Sequence, residues 1–182
     1  MQIFDEHVSV HYGFIQVFSA AAPGATLPSV DEEFDGDHST AIKDQTNGLA
    51  GARLPHMVSL VTGLHTGEVP LTITWDPQEP ALDAQWTDAV EVSVELPSKE
   101  LSIQTFEDWY AAATPQAGWH RARYSAAEMD AGNELDTPDE DEAAPDRYLL
   151  QLWPCDPTAD AVVREGSKIA AYWHGVARGE GN

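Results

Sequence analysis

"AVEVSVELPSKELSIQTF", residues 89–106, carries the clearest periodicity in the chain. Val90, Val92, Val94 and Leu96 alternate with Glu91, Ser93 and Glu95; after "PSKE", Leu101 and Ile103 resume the series. A period of two is the repeat of a β-strand, whose successive side chains point to opposite faces. The stretch therefore predicts a β-hairpin with one buried and one wet face.

Similar patterns flank it. "HVSVHYGFIQVF" (7–18) alternates at Val8, Val10, Tyr12 and Phe14, then shifts phase so that Ile15 and Val17 continue the apolar set. That predicts one strand with a bulge or bend near Gly13. "HMVSLVTGLHTG" (56–67) and "VPLTITW" (69–75) are β-rich, with "HTGE" as the turn between them. "EDWYAAATPQ" (107–116) predicts a single helical turn. "GWHRARYSA" (118–126) places Trp119, Arg121 and Arg123 on one strand face and His120, Ala122 and Tyr124 on the other. "RYLLQLWP" (147–154) predicts its antiparallel partner. A β-like run follows at Ala161–Val163, then a helix from Ser167 to about Gly175.

Many short strands and few helical patterns predict a mostly β chain. The expected fold is an antiparallel β-sandwich with long acidic loops and a short C-terminal helix, a partly open barrel being the alternative. The 182 residues suffice for one buried core, so 1–182 reads as a single domain, with a loop-rich excursion over 19–53 that includes room for a short helix. The run 128–146 reads as an acidic loop within a hairpin, kept extended by its own repulsion.

Charge bounds the partners. With 31 acidic against nine basic side chains the formal charge is −22, which repels nucleic-acid phosphates and anionic membranes. Nine of those acids lie between Glu128 and Asp146; without them 22 acids would still face nine bases, a net of −13. The acidity belongs to the whole surface. Its plain explanation is solubility, salt-adapted given only three Lys; its functional one is a basic protein partner. The one cysteine, Cys155, excludes an internal disulfide and suits a reducing cytoplasm. "GFIQVFSAAAPGA" (13–25) has the look of a signal-peptide core, but Asp5 and Glu6 precede it with no Lys or Arg, and Gln16 interrupts it. No window approaches the ~20 apolar residues of a membrane helix. The expected molecule is cytoplasmic.

Catalytic signals are weak. The sequence holds no phosphate-cradling glycine loop, nucleophile elbow or helical zinc-protease motif. Cys155 stands beside Asp156, whose carboxylate would raise a thiol pKa rather than lower it. His7 and His11 share a strand face but stand ~13 Å apart, too far for one metal ion. "DEEFDGDHS" (31–39) and 134–142 are oxygen-rich, yet neither matches a calcium loop, and solvated acidic loops explain both better. No cofactor is expected. Six Trp (75, 86, 109, 119, 153 and 173) raise a sugar-stacking alternative, although at least four read as core or loop anchors. The residues assigned to binding are Glu134, Asp136, Asp139, Glu140, Asp141 and Glu142, together with Arg121 and Arg123. The last two read either as an anion-binding pair or as partners of carboxylates across the sheet.

"VSVHYGFIQVF", "LSIQTF", "GWHRARYSA" and "RYLLQLWP" together resemble a set of bacterial proteins and, more distantly, the competence protein J family, inhibitors of a DNA-entry nuclease. The resemblance covers about two-thirds of the chain in separate pieces and rests on strand patterns. It implies a β-sandwich that binds and silences another protein. It carries no functional residue onto this sequence, and the 128–146 insert and the 19–53 excursion depart from the family pattern.

Overall fold

The computed structural model describes residues 1–19, 38–54, 56–139 and 142–180. Eleven strands form two sheets among these residues. The six-stranded sheet runs β1 (Gln2–His11), β5 (Thr66–Trp75), β10 (Arg147–Pro154), β9 (Gly118–Ala127), β6 (Asp88–Leu96), β11 (Ala161–Arg164). The five-stranded sheet runs β3 (Ala50–Gly51), β4 (Met57–Val61), β2 (Phe14–Phe18), β7 (Glu100–Gln104), β8 (Trp109–Ala113). All pairings are antiparallel except β5 with β10, which run parallel. The described residues also hold three helices, α1 (His38–Ala41), α2 (Met129–Leu135) and α3 (Lys168–Ala177). None of them is long and apolar enough to cross a membrane.

The mostly β sandwich predicted from alternation is observed, but several of the predicted turns are crossings between the sheets. β6 pairs with β9 and β11, whereas β7 pairs with β2 and β8. The predicted 89–106 hairpin is therefore a corner: the chain leaves one sheet at Leu96 and enters the other at Glu100. Alternation could not distinguish the two, because both arrangements bury Val90, Val92 and Val94 with Leu101 and Ile103. Nor is its outer face wholly wet, since Glu91 is half-buried beneath two arginines.

The predicted bulged strand at 7–18 is likewise two strands in different sheets. The phase shift at Gly13 marks a tight turn in which Tyr12 and Gly13 both have positive φ, 61° and 73°. Residues 56–75 divide in the same way, with the corner at 62–65 rather than at 65–68. Residues 109–113, predicted to be helical, form β8, an edge strand along which exposed and half-buried residues alternate. β9 and β10 pair antiparallel as expected, and of the acidic insert between them residues 129–135 form α2 while the other described residues are loop. Of the 19–53 excursion, 20–37 lies outside the described residues, and the remainder holds α1 and β3.

One apolar cluster fills the space between the sheets. Cross-strand registers align its members: Val8 faces Val69, Ile15 faces Leu60, and Tyr124 lies between Val90 and Leu150. The corner 61–66 is tied down from several directions. Leu64 N–H donates to Asp146 Oδ2 at 2.9 Å, and Tyr148 O–H donates to the same oxygen in a short bond. Gly63 N–H in turn donates to the Tyr148 hydroxyl at 2.6 Å, and Tyr124 O–H donates to Val61 O at 2.9 Å. Asp146 is fully buried, and its Oδ1 has no hydrogen-bond partner among the described residues. α2 covers it at Gly132, where any Cβ would meet the Asp146 carboxyl carbon at 2.4 Å. Burial, then Tyr124 and Asp146, hold the Tyr148 phenol well above its ordinary pKa, so it remains a donor.

Two buried histidines are locked as acceptors. His174 Nδ1 accepts from Gly48 N–H at 2.9 Å, which docks α3 against residues 47–49. His120 Nε2 accepts from Trp75 Nε1–H at 3.2 Å, and its Nδ1 donates to Gly118 O at 2.9 Å. Desolvation lowers both pKa values, partly offset at His174 by Glu165 and at His120 by the Gly118 carbonyl.

Two outcomes follow for stability. Asp146→Ala strands Leu64 N–H and Tyr148 O–H and costs about 3 kcal/mol in urea denaturation. Asp146→Asn keeps an oxygen that both donors can reach and costs less; equal losses would refute the pairing. For the histidines, a depressed folded pKa means the neutral ring is the native form. Their contribution is complete above about pH 6.5, the unfolded value, and declines as pH falls below it towards the folded values. His174→Asn, which retains an acceptor for Gly48, makes that decline shallower; an unchanged slope would contradict the assignment.

Candidate functional site

The residues singled out from sequence fall into two places. Arg121 and Arg123 project from the outer face of β9, 5% and 3% exposed. Arg121 Nε donates to Glu91 Oε2 at 3.0 Å, and Arg123 Nε donates to Glu91 Oε1 at 2.7 Å. Arg121 also donates to Ala159 O at 2.9 Å, while Arg123 donates to Pro80 O and Glu79 Oε1, both at 2.7 Å, and stands 5.0 Å over the Trp153 ring. One carboxylate thus bridges two guanidiniums, and both strap the 79–80 and 158–159 loops to the sheet. The geometry is that of the cross-strand pairing anticipated for these residues, with Glu91 the partner that spacing alone did not name.

The acids of the insert lie on and beyond α2. Glu134, Asp136, Asp139 and Glu142 are exposed, and Glu140 and Asp141 lie outside the described residues. Asp146, counted in the same run, is buried in the clamp already described. The carbonyl of Asp136 accepts from His65 N–H at 3.1 Å and Thr66 N–H at 3.0 Å, which fastens the end of α2 to the start of β5. Among the described residues no three His, Cys, Asp or Glu side chains converge to hold a metal ion; of the 31–39 cluster, residues 31–37 lie outside them.

Beside this junction stands a group of rings that the sequence patterns assign to strands and, for His65, to a turn. His11 packs against Tyr12 (centroids 4.3 Å apart), Phe106 (4.7 Å) and His65 (5.9 Å). The Nδ1 atoms of His11 and His65 both lie within hydrogen-bond distance of Thr66 Oγ1, at 3.1 and 2.8 Å. Tyr12 is 60% exposed and Phe106 67%. Gly13 holds the turn by donating to His65 O and accepting from Thr62 N–H. Asp108 Oδ2 accepts from Ser9 O–H at 2.8 Å and joins the β7–β8 loop to β1. The one sequence signal that marks this place is a bulky residue where a turn asks for Gly or Asn.

Of the six indoles, Trp86 and Trp153 are buried and Trp75 and Trp173 half-buried, while Trp109 and Trp119 are exposed on different sheets.

No protein-family profile matches the chain, and no curated protein sequence does. Two solved structures share its fold. One is described as ComJ, inhibitor of the DNA degrading activity of NucA, from Bacillus subtilis; it aligns at TM-score 0.53 and 13% identity over 85% of this chain and 98% of that one. The other, described as crocagin biosynthetic gene J, aligns at TM-score 0.54 and 16% identity over 86% of this chain and 98% of its own. At these identities the likeness is one of fold.

Proposed function

We propose that the chain is a non-catalytic binding protein whose acidic surface docks on a basic protein, such as a DNA-degrading nuclease, and inhibits it. The observation that carries this reading is the charge: a formal −22, with Glu134, Asp136, Asp139 and Glu142 exposed and the two central arginines neutralised by Glu91 beneath covering loops. Such a surface speeds encounter with a cationic partner and repels nucleic acid. The fold shared with a protein described as a nuclease inhibitor supports the inhibitory half of the reading. On this reading Glu134, Asp136, Asp139, Glu140, Asp141 and Glu142 contribute contacts, and Arg121 and Arg123 position the sheet. Residues 1–182 act as one domain without a cofactor, in a bacterial cytoplasm whose reducing conditions suit the single Cys155.

The test is a titration of the purified chain into DNA digestion by basic nucleases purified from the source organism. At about 0.05 M salt, inhibition of one of them is complete near one equivalent, and it is relieved towards 1 M, where the screening length falls to about 3 Å. Digestion unaffected by excess protein at every salt concentration would overturn the proposal.

A further inference from the structure

The exposed ring cluster points to where such a partner is gripped. We infer that Tyr12 and Phe106, packed on either contact of His11, form the docking point for an arginine side chain presented by a basic protein; this rests on the binding reading above.

Three observations carry it. First, Tyr12 holds φ 61° without being glycine, in a turn whose second residue, Gly13, also has positive φ. Asn or Gly meets that requirement at little cost, whereas a bulky side chain is strained there. The ring of Tyr12 repays none of this strain by filling the core, since it is 60% exposed. Strain kept at an exposed position is a mark of use.

Second, the charge around the rings has one sign. The segments that meet here are 9–13, 62–68, 105–109 and 134–139, joined by the Ser9–Asp108, Gly13–His65 and Asp136–His65 bonds. They carry Glu68, Glu107, Asp108, Glu134, Asp136 and Asp139 and no Lys or Arg. Exposed aromatic rings on segments whose only formal charges are carboxylates fit a guanidinium, which stacks on a ring and hydrogen-bonds carboxylates at its edge; an ammonium gains less from the ring and an anion is repelled. Within the described residues the chain's own arginine–ring contacts are made elsewhere, by Arg123 on Trp153 and Arg147 on Trp86.

Third, the surface is preorganised. His11 and His65 both contact the Thr66 hydroxyl, and the Asp146 clamp fixes the corner that carries His65. Little ordering remains to be done on binding.

The test uses a labelled hexa-arginine peptide at about 0.05 M salt, with a hexa-lysine peptide for comparison, read by fluorescence anisotropy. Tyr12→Asn and Phe106→Ala each weaken hexa-arginine binding by about three- to tenfold and narrow its advantage over hexa-lysine. Tyr12→Asn does so with an unfolding midpoint unchanged or raised, because Asn tolerates the turn. Trp119→Ala, on β9 at the end away from α2, leaves binding unchanged. If both peptides bind equally and no ring variant alters either, the docking point is wrong while charge-driven docking survives. If neither peptide binds the wild-type chain, the acidic-surface reading fails with it.

Discussion

A buried carboxyl group with two donors on one oxygen organises one end of this sandwich. Asp146 stands at the entrance to β10, accepts from Leu64 and Tyr148, and is roofed by Gly132 of α2. Burying a carboxyl group costs several kcal/mol unless it is hydrogen-bonded, so the group is tolerable only where the corner, the strand and the helix all keep their places. One residue therefore couples α2 and β10 to a corner 82 positions earlier in the sequence. The corner it holds is where the chain passes from the five-stranded sheet to the six-stranded one between β4 and β5.

That passage is one of four, the others being β1 to β2, β6 to β7 and β8 to β9. Each crossing keeps an apolar set facing inward while it changes the sheet to which the set belongs. Sandwiches built this way gather corners at their ends, and here the corners that carry Tyr12 and His65 meet Phe106 of the β7–β8 loop around His11. Polar groups are handled differently on the outer face of β9, where Glu91 neutralises Arg121 and Arg123 under covering loops. The two arginines at the centre of the sheet are thereby neutralised, while Glu134, Asp136, Asp139 and Glu142 stay exposed. The result is an acidic sandwich with exposed aromatic rings at one end, the features on which the proposed docking to a cationic partner rests.

Strand alternation made the β class and the inner faces legible in the sequence. Val90, Val92, Leu101 and Ile103 are buried as their spacing requires, and Ser167 caps α3 by accepting from Ala170 N–H. What alternation could not convey was pairing, because Leu96 to Glu100 can turn back within a sheet or cross to the facing one with the same side chains inside. The acidic run misled for a related reason. Repulsion argues for an extended loop, but Met129 and Gly132 bury one side of α2 and Asp146 goes into the interior, which local charge does not reveal. At the candidate site, the exposed carboxylates were visible as composition. The ring cluster was not, since Tyr12 and Phe106 lie 94 positions apart and meet only through His11.

Amide hydrogen exchange followed by NMR tests the clamp most directly. Gly63 and Leu64 belong to a connection between strands, where exchange is ordinarily fast, yet both N–H groups are committed to buried acceptors. The account predicts that they exchange as slowly as Leu150 and Tyr124 in the central strands, opening only with the whole molecule. Exchange at the rate of an exposed loop would show that Asp146 does not hold the corner, and the end of the sandwich built on it would lose its foundation.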